Sequence, residues 1–221
     1  MALSYISRYR LLQKLLNPYE LSNKIILDIG CNEGDLVDFL NINNVSFSYI
    51  GIDINFISLL SAKNKNLTVV QCDLNNKALP FKDNSVDIVV CTEVLEHLIN
   101  PKKIITEIHR IIKKDGIVII SLPNEYWWLN RLEVLFGYPI DKGGLIYNYE
   151  HLHYPNFKQI KEFIKYNDLE IIEERGWFIK EVEFVPIKVF LNLIPDKIAN
   201  FFANKIPSLF ARSWFIKFRF K

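Results

Sequence analysis

Short apolar runs alternate with segments of helical periodicity over the first 122 residues, and this alternation restricts the possible folds more than any other feature of the chain. The apolar runs predict strands at 25–29, 49–54, 68–72, 87–91 and 117–122. The intervening periodicity predicts helices at 35–40, 56–63 and 101–113. Strands that alternate with helices form a parallel sheet with right-handed crossovers, so the sequence predicts an α/β protein.

The segments on either side of this alternation complete the predicted organisation. Residues 1–22 are predicted as an N-terminal helical segment, with a helix at 3–16 that ends at Asn17-Pro18. The main domain is predicted over 23–175 and carries an aromatic-rich lid or insertion at 124–155, a helix at 156–166 and a sixth strand at 169–173. Residues 176–221 are predicted to complete the fold as an apolar, basic extension, with 214–220 as a final edge strand.

Composition excludes several classes of protein. Half of the 221 residues are hydrophobic, so the chain can bury a core and is not intrinsically disordered. A net charge of +2 gives no sign of a nucleic-acid partner. No apolar run reaches the roughly 18 residues that a membrane-spanning helix needs. Arg8 and Arg10 interrupt the stretch that a signal peptide would keep apolar, and three cysteines are too few for a disulfide framework, so a cytoplasmic location is predicted.

The richest local pattern is the run from Ile25 to Gly34, in which a buried strand leads into a turn with two glycines. Gly30 allows the backbone to turn sharply, and Gly34 allows close approach of a ligand or helix. The spacing differs from the dinucleotide pattern G-x-G-x-x-G, and Glu33 and Asp35 place carboxylates where a diphosphate would bind. Asp28, at the end of the strand, is suited to a cationic or amino-bearing ligand.

Two further acids follow the next two predicted strands. Asp53 ends the second strand, where a carboxylate can accept both hydroxyls of a ribose. Asp73 follows the third strand and could accept a hydrogen bond from an adenine amino group. Open α/β sheets bind ligands at the carboxyl ends of their strands, so three acids at this edge predict a nucleoside site. Each of these acids taken alone is more often an ordinary loop residue.

The blocks LDIGCNEGDL, YIGIDIN, VVQCDLNNKALPFKDNSVDIVVCTEVLEHLINP and EIHRIIKKDGIVIISLPN occur in this order over residues 24–124. In these blocks the chain resembles the class I S-adenosylmethionine-dependent methyltransferases. The resemblance implies a Rossmann-like, seven-stranded sheet whose last strand is antiparallel. It also implies a cofactor site in which Asp28, Gly30 and Gly34 line the methionine end, Asp53 the ribose, and Asp73 and Leu74 the adenine. Cys31, Ile54 and Thr92 complete the predicted cofactor contacts.

Three matters stay open beside this resemblance. Asn32 stands where the family commonly has a middle glycine, although asparagine tolerates the left-handed backbone that such a turn requires. An NAD-dependent oxidoreductase is an alternative that the glycine spacing and the acidic helix start disfavour. A non-catalytic module that binds the cofactor or docks to a membrane is the other alternative.

Candidate acceptor residues follow the fourth strand. If this segment is helical, Glu93, Glu96 and His97 share one face and could hold a divalent metal such as Mg²⁺. This E-x-x-E-H pattern is similar to that of the ubiquinone-pathway O-methyltransferases, in which a metal binds the acceptor. The alternative is that His97 forms a hydrogen bond at the pocket wall without a metal. His97 is also a candidate catalytic base, which an alcohol or phenol acceptor would need.

A second candidate segment runs from Tyr149 to Tyr154, and relatives carry a similar E-H-L segment that folds over the acceptor. His151 is the second predicted catalytic residue, and a polar loop packed under aromatic side chains is the alternative. The predicted acceptor is a small or lipid-linked molecule that is methylated on oxygen.

The C-terminal part of the chain has an unbalanced charge. It contains six basic residues and no acidic residue after Asp196, and several of its apolar residues share helical faces. Such a segment suits peripheral contact with an anionic membrane. The alternative is that these helices cover the sheet or the acceptor pocket, with the cations at the rim.

Overall fold

The computed structural model describes residues 3–17, 21–40, 46–139, 151–178 and 191–221. The helices are α1 (Leu3–Leu16), α2 (Leu36–Leu40), α3 (Phe56–Asn64), α4 (Pro101–Ile111), α5 (Trp128–Leu135), α6 (Phe157–Tyr166), α7 (Asp196–Lys205) and α8 (Pro207–Phe210). A short 3-10 helix covers Leu95–His97. The strands are β1 (Ile25–Ile29), β2 (Ser48–Asp53), β3 (Thr68–Gln71), β4 (Val86–Thr92), β5 (Ile112–Pro123), β6 (Leu169–Trp177) and β7 (Ser213–Phe220).

The strands form one seven-stranded sheet in the order β3-β2-β1-β4-β5-β7-β6. Strands β1 to β5 are parallel, whereas β7 pairs antiparallel with β5 on one side and β6 on the other. The predicted Rossmann-like sheet with an antiparallel last strand is therefore confirmed. The predicted edge position of 214–220 is wrong, because β7 is internal and β6 forms the edge.

Most element boundaries agree with the predicted ones, and the main difference lies where α4 meets β5. The sequence predicts a helix to 113 and a strand from 117, but α4 ends at Ile111 and β5 starts at Ile112. Ile112 adopts extended backbone and pairs with Val86, after which the register shifts before regular pairing resumes at Ile117. Pairing with β4 thus overrides the helical periodicity of the sequence.

The sheet separates two hydrophobic clusters, which accounts for the helices on both faces. On one face, α4 and α6 contribute buried isoleucines such as Ile108 and Ile164. On the other face, α1 contributes Leu12, Leu15 and Leu16 to a cluster shared with α2 and α3. The N-terminal helix is therefore part of the core of the sheet domain. The predicted boundaries at residues 22 and 175 remain predictions, although β6 continues to Trp177.

Two contacts fix the C-terminal elements to the sheet. Lys217 of β7 is 2% exposed, and its Nζ donates to the Leu15 carbonyl oxygen at 3.0 Å and to the Glu173 carboxylate at 2.6 Å. At Gly176 of β6, an added Cβ would lie 2.0 Å from the Ala203 carbonyl oxygen, so α7 packs directly against this strand. No helix among the described residues combines the length and the apolarity needed to cross a bilayer.

Candidate functional site

The turn after β1 has the left-handed backbone expected from its sequence. Gly30, Asn32 and Gly34 all have positive φ, at 76°, 48° and 73°. An added Cβ at Gly30 would lie 2.3 Å from Val94 Cγ2, and one at Gly34 would lie 2.3 Å from Leu67 Cδ1. Both glycines are therefore required by backbone conformation and by close packing within the protein. Asn32 adopts the left-handed geometry expected of it.

The three predicted acids lie along one edge of the sheet. Strands β1, β2 and β3 are neighbours, so Asp28, Asp53 and Asp73 stand at or just beyond their carboxyl ends. Asp53 Oδ2 accepts from the Asn32 backbone N–H at 2.9 Å, and its Oδ1 accepts from the Asn55 N–H at 2.8 Å. These bonds hold the carboxylate at the turn, and each oxygen keeps a second lone pair for a ligand hydroxyl.

Asp73 and the apolar residues beside this edge complete the predicted nucleoside site. Asp73 accepts hydrogen bonds from the Asn75 N–H and from the Asn76 side chain, which order the loop after β3. Ile54, next to Asp53, is 61% exposed and so offers an apolar surface to a ligand. Leu74 packs partly against the core, and Thr92 ends β4.

Asp28 is the most deeply buried of these three acids. It is 5% exposed and accepts a hydrogen bond from the Tyr49 hydroxyl at 2.8 Å. Burial raises the pKa of Asp28 to about 7, although the Tyr49 hydrogen bond and the charge of Arg8 act in the opposite direction. A buried acid of this kind suits a cationic ligand group, because that charge would offset the cost of ionisation.

All three cysteines are buried free thiols. Cys31 lies inside the turn, where an added Cβ on Gly51 would lie 2.6 Å from its Sγ, and burial raises the pKa of the Cys31 thiol. Burial likewise raises the pKa of the Cys72 and Cys91 thiols. Thiols held in the protonated form are poor nucleophiles and metal ligands, so the cysteines serve as small core residues.

Glu93 does not share a helical face with Glu96 and His97, so the premise for that metal triad is wrong. Glu93 has a φ of 55°, and the 3-10 helix begins only at Leu95. The Glu93 carboxylate instead accepts hydrogen bonds from the Ser121 hydroxyl at 2.6 Å and the Ser213 hydroxyl at 3.4 Å. It therefore ties the end of β4 to β5 and β7.

The structure brings Glu96 and His97 together with His151. Glu96 Oε1 lies 4.0 Å from His97 Nε2 and 3.9 Å from His151 Nε2, and the two imidazole rings are 4.7 Å apart in an edge-on arrangement. Glu96 is fully buried, and neither of its carboxylate oxygens is hydrogen-bonded within the part of the chain that the structure describes. Burial and the charge of Glu93 raise the pKa of Glu96.

Backbone hydrogen bonds hold the segment of His151 over the 3-10 helix. The Glu96 carbonyl oxygen accepts from the Leu152 N–H at 2.8 Å and from the His153 N–H at 3.2 Å. The His153 ring lies 2.8 Å from the Leu98 carbonyl oxygen. These contacts explain why two histidines that are 54 positions apart in sequence face each other. Tyr149 and Glu150, the first residues of the predicted acceptor segment, lie outside the described residues.

Glu125 is a member of this site that the sequence analysis missed. It is 3% exposed, and its carboxylate lies 3.5 Å from His151 Nδ1 and 3.2 Å from the Arg212 guanidinium. Burial acts to raise the pKa of Glu125, but His151 and Arg212 hold it below its ordinary value. The available signal was its place two residues after β5, at the same sheet edge as the other acids.

The arrangement fits a compact cationic cofactor next to a polar acceptor site. Asp28 is buried and Asp53 is fixed at the turn, so the edge offers anionic acceptors and suits a sulfonium or amino group better than a diphosphate. The His97–His151 pair adds two imidazoles at the end of the neighbouring strand β4. Cofactor and acceptor could therefore meet at one edge of the sheet.

Comparison with known proteins points to one family. A protein-family model described as a methyltransferase domain matches residues 4–174 of this chain. A protein of Mycobacterium tuberculosis, named as a probable S-adenosylmethionine-dependent methyltransferase, is 27% identical over 120 residues, which are 54% of this chain and 43% of that protein. The ubiquinone biosynthesis O-methyltransferase of Neisseria meningitidis is 29% identical over 112 residues, which are 48% of this chain and 47% of that enzyme. The chain thus spans about half the length of the curated relatives it matches.

A solved structure agrees at the level of the fold. The S-adenosylmethionine-dependent methyltransferase from Archaeoglobus fulgidus superposes with a TM-score of 0.60 at 19% identity, covering 95% of this chain and 93% of that one. At this identity the likeness supports the architecture alone.

Proposed function

Because the chain belongs to the class I S-adenosylmethionine-dependent methyltransferases, we propose that it transfers a methyl group from S-adenosylmethionine to an oxygen of a small or lipid-linked acceptor. The observation that carries the proposal is the row of acids at the carboxyl ends of β1 to β3, beside the His97–His151 pair. The bound cofactor supplies an electrophilic methyl group on a sulfonium, and the protein must hold the acceptor in line with it and exclude water.

On this proposal, the acids at the carboxyl ends of β1, β2 and β3 bind three parts of the cofactor. Asp28 faces the methionine end, Asp53 accepts the ribose hydroxyls, and Asp73 accepts from the adenine amino group. The hydrogen bonds from Asn32 and Asn55 keep the Asp53 carboxylate in one orientation. The exposed side chain of Ile54 packs against the base.

The acceptor hydroxyl would lose its proton to one of the two imidazoles. His151 is the stronger candidate, because Glu125 lies 3.5 Å from its Nδ1 and can orient and stabilise the protonated ring. His97 is 34% exposed at the side chain and lies at the outer side of the pair. It would position the acceptor or share the proton.

A metal at the same place is a second candidate, and the observation that favours it is the buried Glu96 carboxylate, which has no hydrogen bond among the described residues. One ligand atom from each of Glu96, His97 and His151 lies within 4.8 Å of the others. Two imidazoles and one carboxylate suit a transition metal better than Mg²⁺, which prefers oxygen ligands. A metal held there would lower the pKa of an acceptor hydroxyl. Activity that survives chelation and dialysis would exclude a metal role, and Zn²⁺ binding lost in His151→Ala would support one.

Cofactor binding is the first test. Calorimetric titration with S-adenosylhomocysteine should show saturable binding that Asp53→Ala weakens by about tenfold or more, because a ribose anchor is lost. NADH is titrated in parallel, and Asp83→Ala is the matched control, because that acid lies on the exposed surface beside Arg110. An NADH signal without binding of S-adenosylhomocysteine would replace the methyltransferase with an oxidoreductase.

The acceptor residues are tested on a panel of hydroxylated acceptors. His151→Ala should lower kcat by a factor of about 10² or more and leave the affinity for S-adenosylhomocysteine unchanged, because it removes a base and no cofactor contact. Glu125→Gln should lower kcat by less. Loss of cofactor affinity with unchanged kcat would remove His151 from the acceptor site.

A further inference from the structure

Helix α7 packs against the protein through its smallest side chains. Ala199 and Ala203 are 4% and 0% exposed, and they face β6. The Ala203 carbonyl oxygen lies so close to Gly176 that a side chain at position 176 would not fit between the helix and the strand. The bulky residues of the helix must therefore lie on its other sides.

Those bulky apolar residues are exposed to solvent. Ile198 is 47% exposed, Phe201 55% and Phe202 41%. At about 100° of rotation per residue, these three side chains and Lys205 fall within an arc of about 100°. We call this arc the α7 face. Leu193, before the helix, and Ile206, after it, are 77% and 45% exposed and extend the apolar surface along the chain.

The charged residues of α7 are also unevenly distributed around the helix. Lys205 lies within the α7 face and Lys197 on its flank, and both are exposed. Asp196, the acid of this helix, lies about half a turn away from the centre of the face. Long lysine side chains within and beside an apolar arc can extend to lipid headgroups while the apolar side chains enter the bilayer interface, and the acid of the helix is turned away from it.

The helix is also connected to the candidate site. Helix α8 follows α7 directly, and the Arg131 guanidinium of α5 donates to the Ser208 carbonyl oxygen at 2.8 Å. The Asn124 side chain, just after β5, donates to the Ala211 carbonyl oxygen at 2.8 Å. The C-terminal end of α7 therefore leads to the sheet edge that carries Glu125 and His151.

We propose that the α7 face docks on the surface of an anionic lipid bilayer. A second copy of this chain is a poorer occupant, because a symmetric contact between two such faces would bring Lys197 and Lys205 of one copy close to the same lysines of the other copy. Anionic headgroups instead complement both lysines, while the two phenylalanines and Ile198 enter the boundary between headgroups and acyl chains. The docking goes beyond the proposed methyl transfer and does not depend on it.

The test is co-sedimentation of the full chain with phosphatidylcholine vesicles, with and without phosphatidylglycerol. Binding is expected to the anionic vesicles and to fall as salt is raised, because the attraction is partly electrostatic. Ile198→Ser with Phe201→Ser should lower vesicle binding at least tenfold, and Lys197→Gln with Lys205→Gln should do the same. Ile57→Ser is the matched control, because Ile57 is 75% exposed on α3, near the β3 edge that lies opposite β6.

Two measurements show whether each variant is still folded. The circular dichroism spectrum and the S-adenosylhomocysteine affinity of each variant should match those of the wild type, because these side chains are exposed. No binding of the wild type to anionic vesicles would overturn the proposal, as would equal loss in Ile57→Ser. A concentration-dependent dimer that Ile198→Ser with Phe201→Ser abolishes would assign the face to a second copy instead. If the wild type binds anionic vesicles but does not bind S-adenosylhomocysteine, the result would count against the proposed function and not against the docking.

Discussion

At the scale of single residues, the candidate site contains carboxylates whose surroundings differ sharply. Asp53 receives two backbone hydrogen bonds at the rim, Asp28 is buried against one tyrosine hydroxyl, and Glu96 is buried without a hydrogen bond among the described residues. The sequence could predict that Asp28 and Asp53 lie at one sheet edge, because the carboxyl ends of neighbouring parallel strands meet there. It could not identify Glu125 as a partner of His151, since that contact depends on how a segment 26 positions later folds back.

The first prediction concerns Asp28 in the protein without cofactor. Its pKa is raised from 3.8 to about 7, so between these values the folded state holds a proton that the unfolded state has lost. The contribution of Asp28 to stability therefore falls as pH rises from about 4 to 7 and is most unfavourable above 7. Asp28→Asn should raise the free energy of unfolding at pH 8 by about 2–4 kcal/mol and change it much less at pH 4.

Urea denaturation of wild type and Asp28→Asn across this pH range measures the difference. Tyr49 can still donate to the asparagine oxygen, so the substitution leaves the packing intact. Asp115→Asn, at an exposed position, should show no such trend. A constant difference between wild type and Asp28→Asn from pH 4 to 8 would contradict the perturbed titration of Asp28.

At the scale of elements, the periodicity of the sequence predicts the strands and helices, but it does not predict which strands pair with each other. The apolar stretch that forms β7 was recognisable as a strand, yet its position between β5 and β6 depends on antiparallel pairing that no local pattern specifies. The sequence carries one indication of this internal position. Apolar and polar side chains alternate little over residues 213–218, all of which are buried in the structure. Lys217, which interrupts the apolar run, looks like a sign of solvent contact, but its ammonium group is held by Glu173 and the end of α1.

The second prediction tests this link between β7, β6 and α1. Lys217→Ala should lower the free energy of unfolding by about 2–4 kcal/mol, because it leaves the Glu173 carboxylate and the Leu15 carbonyl oxygen without their buried donor. Lys221→Ala is the matched control, since its ion pair with Asp168 lies on the surface. It should change stability by less than about 1 kcal/mol. Equal effects of the two substitutions in urea denaturation would show that the buried link contributes no more than a surface ion pair.

At the scale of the whole molecule, the C-terminal extension is a component of the sheet, and the basic residues there serve different purposes. Arg212 pairs with Glu125, Lys217 with Glu173 and Lys221 with Asp168, so three of the six cations form ion pairs within the protein. The segment thus has two parts: β7 and the buried alanines of α7 belong to the fold, whereas the α7 face presents apolar and cationic side chains whose contact with a membrane remains a proposal. The sequence could not assign them, because the division depends on which side of each helix meets β6.

The third prediction is that deletion of residues 197–221 prevents folding. The deletion removes β7 and thereby separates β6 from the sheet and exposes the apolar edge of β5. The truncated chain should be insoluble or lack a cooperative thermal transition, whereas the substitutions on the α7 face should leave that transition unchanged. A folded truncated chain that still binds S-adenosylhomocysteine would show that β1 to β5 are stable alone.

The internal position of β7 also affects the chain while it is being made. Strand β6 is synthesised before β7, so for a time the nascent sheet ends at β5 and β6 has no partner. The apolar edge of β5 and the unpaired edge of β6 are then both exposed, which is the condition in which chains associate wrongly. A ribosome that pauses between residues 178 and 213 would prolong this exposure. Slow codons over that interval should therefore lower the yield of folded protein.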